Sequence, residues 1–455
     1  MVVRLIDSSS TTPRIAEVFS DHSILEAMLG FELSLARAEA SLGVIPQDAA
    51  RAIENAASPD LYNASALAAD SLRSATPSIP FVKALTEQVK KIDASAAGFV
   101  HWGATSQDVA DTAIILVLKK SRDILHEDLA RLDHSLSQLS ERHAKTPMLA
   151  RTLLQAALPT SFGLKAAGWL GAIRRNHSRL HAAFQEALIL QFGGAAGTLA
   201  SLGDEGTKLG KALARELGLG YPEAAWHTHR DRLAALMCAL GVTAGSLGKM
   251  ARDISLLSQN EVAEAAEPTA EGRGGSSAMP HKQNPVGCTL ALASAYRVPG
   301  LVSTFLSSMV QEHERAVGGW QSEWATISAI AQATSLAAAS MAEVAEGLTV
   351  NAVRMCENIA ATHGTIFAER ATILLANALG RDAARKIVEK AVQQSVASNG
   401  EFVEVLAEMP EVRKVLNAAI LKDLQSPEGY LGVAEEFRRS LVNSKPRHNS
   451  PDRKP

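Results

Sequence analysis

The chain has 455 residues, a formal net charge of -3, and 47% hydrophobic residues of which few are aromatic. That length allows a large core and two or three domains, while the near-neutral charge points neither to nucleic acid nor to an anionic membrane surface. Three cysteines, Cys238, Cys288 and Cys356, follow no CxxC spacing, which argues against a disulfide framework or a zinc site and fits a reducing compartment. The opening stretch MVVRLIDSSSTTPRIAEVF lacks an apolar core, so no signal peptide is expected. No run reaches the ~18 uninterrupted apolar residues of a membrane span. A cytoplasmic location is the default expectation.

In chain order, residues 1–110 are expected to form a helical N-terminal domain, 111–350 a bundle of long helices, and 351–440 a smaller helical domain. The tail 441–455 is polar and proline-rich and reads as disordered. Proline placement sets this map. None occurs between Pro80 and Pro147, Pro159 and Pro222, Pro222 and Pro268, or Pro299 and Pro410. Proline costs a helix interior about 3 kcal/mol, so long helices belong in these gaps. Leu118, Leu125, Leu132 and Leu139 repeat every seven residues, as do Leu233, Leu240, Leu247 and Ile254. Such rows bury one seam against nearly parallel neighbours. The tract 229–266 is expected to be a single helix ~55 Å long. No alternating strand pattern extends beyond short fragments.

Polar segments precede three of the long apolar tracts. In HWGATSQDVADT (101–112), Thr105 and Asp108 have the spacing of an N-terminal cap. In WHTHRD (226–231), Thr228 is placed to cap the next helix. In EGRGGSSAMPHKQNP (271–285), Asn284 and Pro285 form an N-cap and first-turn pair. Helix starts offer free N–H groups and the positive dipole end, so several together suit a polyanion. Lys282 and Arg230 add charge, and Ser106, Ser276, Ser277, Gln155 and His227 add neutral donors. Taken singly, TSQD and WHTHRD read as ordinary caps. The third segment differs, because Gly272, Gly274 and Gly275 cost backbone entropy that a plain connector does not need. It suits a loop that closes over a ligand. GGAAG (193–197) reads as a tight turn, or as a secondary substrate loop. No dinucleotide, Walker-type or HExxH motif competes.

GSSAMPHKQNP resembles the GSSxMPxKxNP loop of the fumarase/aspartase superfamily, and TSQD and RTLLQ (151–155) are similar to two further family segments in the same order. FSDHSILEAMLGFELSLARAEASLGVIP, LQFGGAAGTLASLG, WHTHRDRL, GSLGKMARDISLL and QEHERAVGGW resemble the bacterial cycloisomerases of protocatechuate breakdown within that superfamily. The resemblance implies an all-α fold of three helical domains around a long central bundle. It also implies a homotetramer whose sites are shared between subunits, a small polycarboxylate substrate, and no metal, organic cofactor, nucleic acid or membrane partner.

The implied reaction is lactonisation of 3-carboxy-cis,cis-muconate, or of a close analogue such as 3-sulfomuconate. Ser276 matches the position that acts as general base in lyase relatives; Lys282 and Asn284 are expected to hold the carboxylate that gains charge, and Thr105, Ser106, Gln155 and Thr228 to bind the other carboxylates. His227, Ser277, His281 and Arg315 are further candidates, although Arg315 in QEHER also reads as a solvated helix face. Leu153 stands where many relatives have His, and no His occurs in SLRSATPSIP (71–80). Leucine transfers no proton, which disfavours a fumarate-releasing lyase of the adenylosuccinate or argininosuccinate type. Cycloisomerases of this group carry Trp at that position, so the smaller Leu leaves room for a different substituent. A non-catalytic helical scaffold is the remaining alternative, and the intact Lys282 loop argues against it.

Overall fold

The computed structural model describes residues 4–269, 274–275, 278–279 and 281–444. Ser276 and Ser277 therefore lie outside the described residues. Long helices occupy the proline-poor tracts: Ser106–Arg142, Phe162–Ala187, Asp231–Leu257, Val286–Ser308 and Gly319–Gly347. Both seven-residue leucine rows are buried along their length.

Two expectations about helices are corrected. The tract expected over 229–266 runs only from Asp231 to Leu257, about 40 Å at 1.5 Å per residue. Ala263 adopts a left-handed φ of 50°, and Glu264 N–H turns back to Leu257 O at 2.9 Å. Ala265–Ala266 then pairs antiparallel with Thr349–Val350. Pro299 lies inside the Val286–Ser308 helix, so proline does not end that element.

A hairpin joins Pro147–Thr152 to Gln155–Ser161. Its two turn residues, Leu153 and Leu154, both take positive φ (50° and 66°) and are 97% and 76% exposed. Primed turns of this kind favour Asn or Gly, and a bulky residue there is strained.

The chain divides into two compact units. The first holds Met1–Leu129, Asn176–Gly248 and Thr289–Ser340; the second holds Ala130–Arg175, Lys249–Cys288 and Met341–Pro455. One core of the first unit gathers Phe31, Leu35, Phe81, Leu85, Val109 and Leu213. In the second unit, Phe367, Leu375, Val388, Phe402, Leu406 and Val412 form a C-terminal core. The Asp231–Leu257 and Gly319–Gly347 helices are long and apolar enough to cross a membrane, but 61% and 72% of those windows is buried in protein.

Candidate functional site

In the first unit the TSQD segment folds around the buried Asp108 carboxylate. Thr105 N–H donates to Asp108 Oδ2 at 3.0 Å, one half of the expected capping box. Gly194 N–H donates to the same oxygen at 2.9 Å. Asp108 Oδ1 accepts from Gly193 N–H at 3.0 Å and lies 2.7 Å from His227 Nε2. GGAAG is thus a turn wrapped on this carboxylate. A Cβ on Gly193 would lie 2.4 Å from Ala225 Cβ and 2.8 Å from His227 Cε1, so only glycine fits.

The Thr105 hydroxyl accepts Arg315 Nη1 at 3.0 Å, and Arg315 Nη2 donates to Ala195 O at 3.1 Å. Both bonds end on neutral oxygens, and Arg315 has no acidic partner among the described residues. The solvated-face reading of Arg315 gives way, since its side chain is half-buried against Thr105. Thr228 Oγ1 donates to His313 O at 2.9 Å instead of capping. The helix it was expected to cap begins at Asp231, with Ala234 N–H on Arg230 O. Thr105, His227, Thr228 and Arg315 are therefore linked in one unit. Ser106 opens the Ser106–Arg142 helix beside them.

Arg230 is not available to a ligand, contrary to the expectation from sequence. It is buried and paired with Asp111 (Nη1–Oδ2 2.8 Å) and Glu323 (Nε–Oε1 3.0 Å), and stacks 4.7 Å from the Trp226 ring centroid. Burial alone would lower its pKa, but the two carboxylates more than reverse this and hold it charged. Burial raises the Glu323 pKa, and its pairing with Arg230 offsets this only in part. Trp320 Nε1 and Gln191 Nε2 also donate to Asp111, at 2.9 and 3.2 Å. Gln107 Nε2 bridges Asp111 and His227 O, and Gln311 donates to Glu323 at 2.8 Å. This network ties the starts of the Ser106, Asp231 and Gly319 helices together. Sequence reading missed Asp111, Glu323 and Gln107; the one available signal was Asp111 three residues after Asp108, one helical turn along.

In the second unit a pocket of about 700 Å³ is lined by Lys282, Asn284, His281, Gly274, Glu267 and Ser255, among others. Asn284 N–H donates to Gly274 O at 2.8 Å, and Gly274 takes φ 72°; a Cβ there would lie 2.8 Å from Asn284 O. Lys282 and His281 are exposed, and Lys282 has no acidic partner among the described residues. The helix starts at Val286, one residue later than the Asn284–Pro285 pair implies.

Its free N–H groups are not open to a substrate as expected. Glu267 takes Gly287 N–H at 2.9 Å and Cys288 N–H at 2.7 Å, a carboxylate satisfying the positive helix end. Gln155 is exposed at the start of the second hairpin strand, opposite Thr152. Arg151 is fully engaged by the buried Glu264 carboxylate at 2.9 and 2.7 Å.

A family described as lyase matches residues 7–300, and one described as the adenylosuccinate lyase C-terminus matches 364–440. The 3-carboxy-cis,cis-muconate cycloisomerase of Bradyrhizobium diazoefficiens is 46% identical over 446 residues, 96% of this chain and 99% of that protein. Its namesake from Pseudomonas aeruginosa is 46% identical over 95% of both chains. The crystal structure of 3-carboxy-cis,cis-muconate lactonizing enzyme from Pseudomonas putida superposes with a TM-score of 0.92 at 43% identity, covering 97% of this chain and 98% of that one.

Proposed function

The chain belongs to the lyase family of the fumarase/aspartase superfamily, and from that premise we propose that it lactonises 3-carboxy-cis,cis-muconate. One substrate carboxylate attacks the double-bond carbon that bears the 3-carboxyl group. The π electrons move into another carboxylate, which becomes an enediolate, and a proton then reaches the carbon between. This is the reverse of abstracting a proton alpha to a carboxylate and expelling a beta leaving group, so lyases and this enzyme share one kind of site.

The observation that carries the reading is that two cations, Arg315 beside TSQD and Lys282 in KQN, each lack an acidic partner among the described residues. A substrate with three carboxylates needs such charges, and they stabilise best where charge develops. Lys282 and Asn284 are assigned to the carboxylate that becomes the enediolate. Thr105, Ser106, Thr228, Gln155 and Arg315 are assigned to the others, with Ser277 and His281 at the loop. Ser276 is assigned to the proton path; an ordinary hydroxyl is a weak acid and base, so it requires a partner. A cytoplasmic homotetramer with sites shared between copies completes the proposal. Exposed Leu153, Leu154, Val310 and Val317 support self-association.

The test is ultraviolet absorbance with muconates that differ at the 3-position. Loss of the conjugated band with 3-carboxy-cis,cis-muconate is expected. A rise in absorbance with succinyl adducts, and no loss with any muconate, would replace the cycloisomerase by a fumarate-releasing lyase.

A further inference from the structure

The Asp108 carboxylate has its hydrogen-bonding capacity filled. Oδ1 meets Gly193 N–H and His227 Nε2, while Oδ2 meets Gly194 N–H and Thr105 N–H. A carboxylate offers about four lone-pair sites, and three of these partners are backbone N–H groups that only donate. Three converging backbone N–H donors suit the ionised carboxylate, to which His227 donates from Nε2. That fixes the tautomer, with Nε2 carrying a permanent hydrogen and Nδ1 left as the atom that gains and loses a proton. His227 Nδ1 makes no hydrogen bond to any described residue.

A buried carboxylate that orients one imidazole nitrogen and steadies the charge on the ring is the arrangement by which a histidine becomes an efficient proton carrier. The ring is held from two further directions. Its backbone carbonyl accepts from Gln107 at 2.8 Å, and its Cε1 fits against the missing side chain of Gly193. The charged groups nearby are accounted for. Arg230 pairs with both Asp111 and Glu323, in a cluster that reaches His227 through Gln107. Arg315 sits on Thr105. His101, bonded to Glu32 at 2.6 Å, is the second imidazole within reach of the Asp108 charge.

We propose that His227, oriented by Asp108, is the acid that supplies the proton for lactonisation, acting through Nδ1. The inference rests on the cycloisomerase reading and names the proton donor that reading leaves open. In the step, the carboxylate oxygen forms its bond to carbon as the double bond opens. The resulting enediolate takes one proton from the His227 imidazolium, and its carbon–hydrogen bond forms. The imidazolium ends neutral, with hydrogen on Nε2 and a lone pair on Nδ1, and regains its proton from water. No oxidant or second reactant enters.

The experiment uses the full-length protein. Wild type must first bleach 3-carboxy-cis,cis-muconate; if it does not, the cycloisomerase reading fails independently of this inference. Glutamine at 227 keeps an amide N–H for Asp108 but has no titrating atom. H227Q is expected to lower kcat on the order of 10²-fold with KM little changed. It should also abolish the alkaline fall of kcat/KM, while the circular dichroism spectrum stays that of wild type. Wild-type kcat with an unchanged pH profile in folded H227Q overturns the proposal. Should H227Q fail to fold, the wild-type profile decides. An alkaline limb with the ionisation enthalpy of an imidazole supports His227, and a profile flat from about pH 5 to about pH 9 removes it.

Discussion

Glu39 is a buried carboxyl whose two oxygens find no hydrogen-bond partner among the described residues, although it is only 1% exposed. Burial, with the Glu32 charge adding to it, pushes its pKa up from 4.5 to about 9. The sign follows directly. Below about 4.5 the group is protonated in both folded and unfolded chains, and it makes no difference. As pH rises toward about 9 the unfolded chain releases the proton and the folded one retains it, so stability falls through that window. Glu39→Gln is therefore predicted to raise Tm by a few degrees at about pH 8 and to leave it nearly unchanged at about pH 4.5, read from paired thermal melts. Equal gains at both values would show that ionisation is not the cause. What sequence shows at this scale is local. The Thr105–Asp108 spacing announces a cap, and half of that cap forms. Arg230 misleads because its partners Asp111 and Glu323 lie 119 and 93 residues away. Only the fold reveals that its charge is already matched.

At the scale of elements, proline-free tracts and leucine rows placed most of the long helices, the Val286–Ser308 helix with its internal Pro299 excepted, because one buried seam repeats over many turns and each turn reports it again. Ends were less legible. The Asp231–Leu257 helix stops well short of Pro268 because Glu264 and Glu267 are committed elsewhere, one to Arg151 and the other to the Val286–Ser308 helix start. Such commitments are tertiary and leave no periodic trace. Glu267 also qualifies the sequence reading of that helix start as a binding site for a substrate carboxylate. Removing it should expose two donors and loosen the segment that carries Lys282. Glu267→Ala is predicted to cost on the order of 1 kcal/mol of stability and to raise KM more than it lowers kcat. Denaturant unfolding and steady-state kinetics check both. A large fall in kcat at unchanged KM would instead mean that Glu267 takes part in the chemistry.

Across the whole molecule the candidate groups fall into two sets, Thr105, His227, Thr228 and Arg315 in one unit and Gln155, His281, Lys282 and Asn284 in the other. A single chain read as sequence cannot say whether one copy completes its own site, since that depends on assembly symmetry. The shared-site proposal makes a quantitative claim about mixtures. K282A and R315A should each be nearly inactive alone, because every site in either parent lacks one cation. If Lys282 and Arg315 reach a given site from different copies, random exchange of subunits restores both to about a quarter of the sites. Activity should then rise to about that fraction of wild type after the two variants are unfolded together and refolded, with mass spectrometry confirming hybrid oligomers. If each copy supplies both residues to its own site, no exchange can pair an intact Lys282 with an intact Arg315. Hybrids no more active than their parents would therefore end the shared-site proposal while leaving the chemistry assigned to each residue standing.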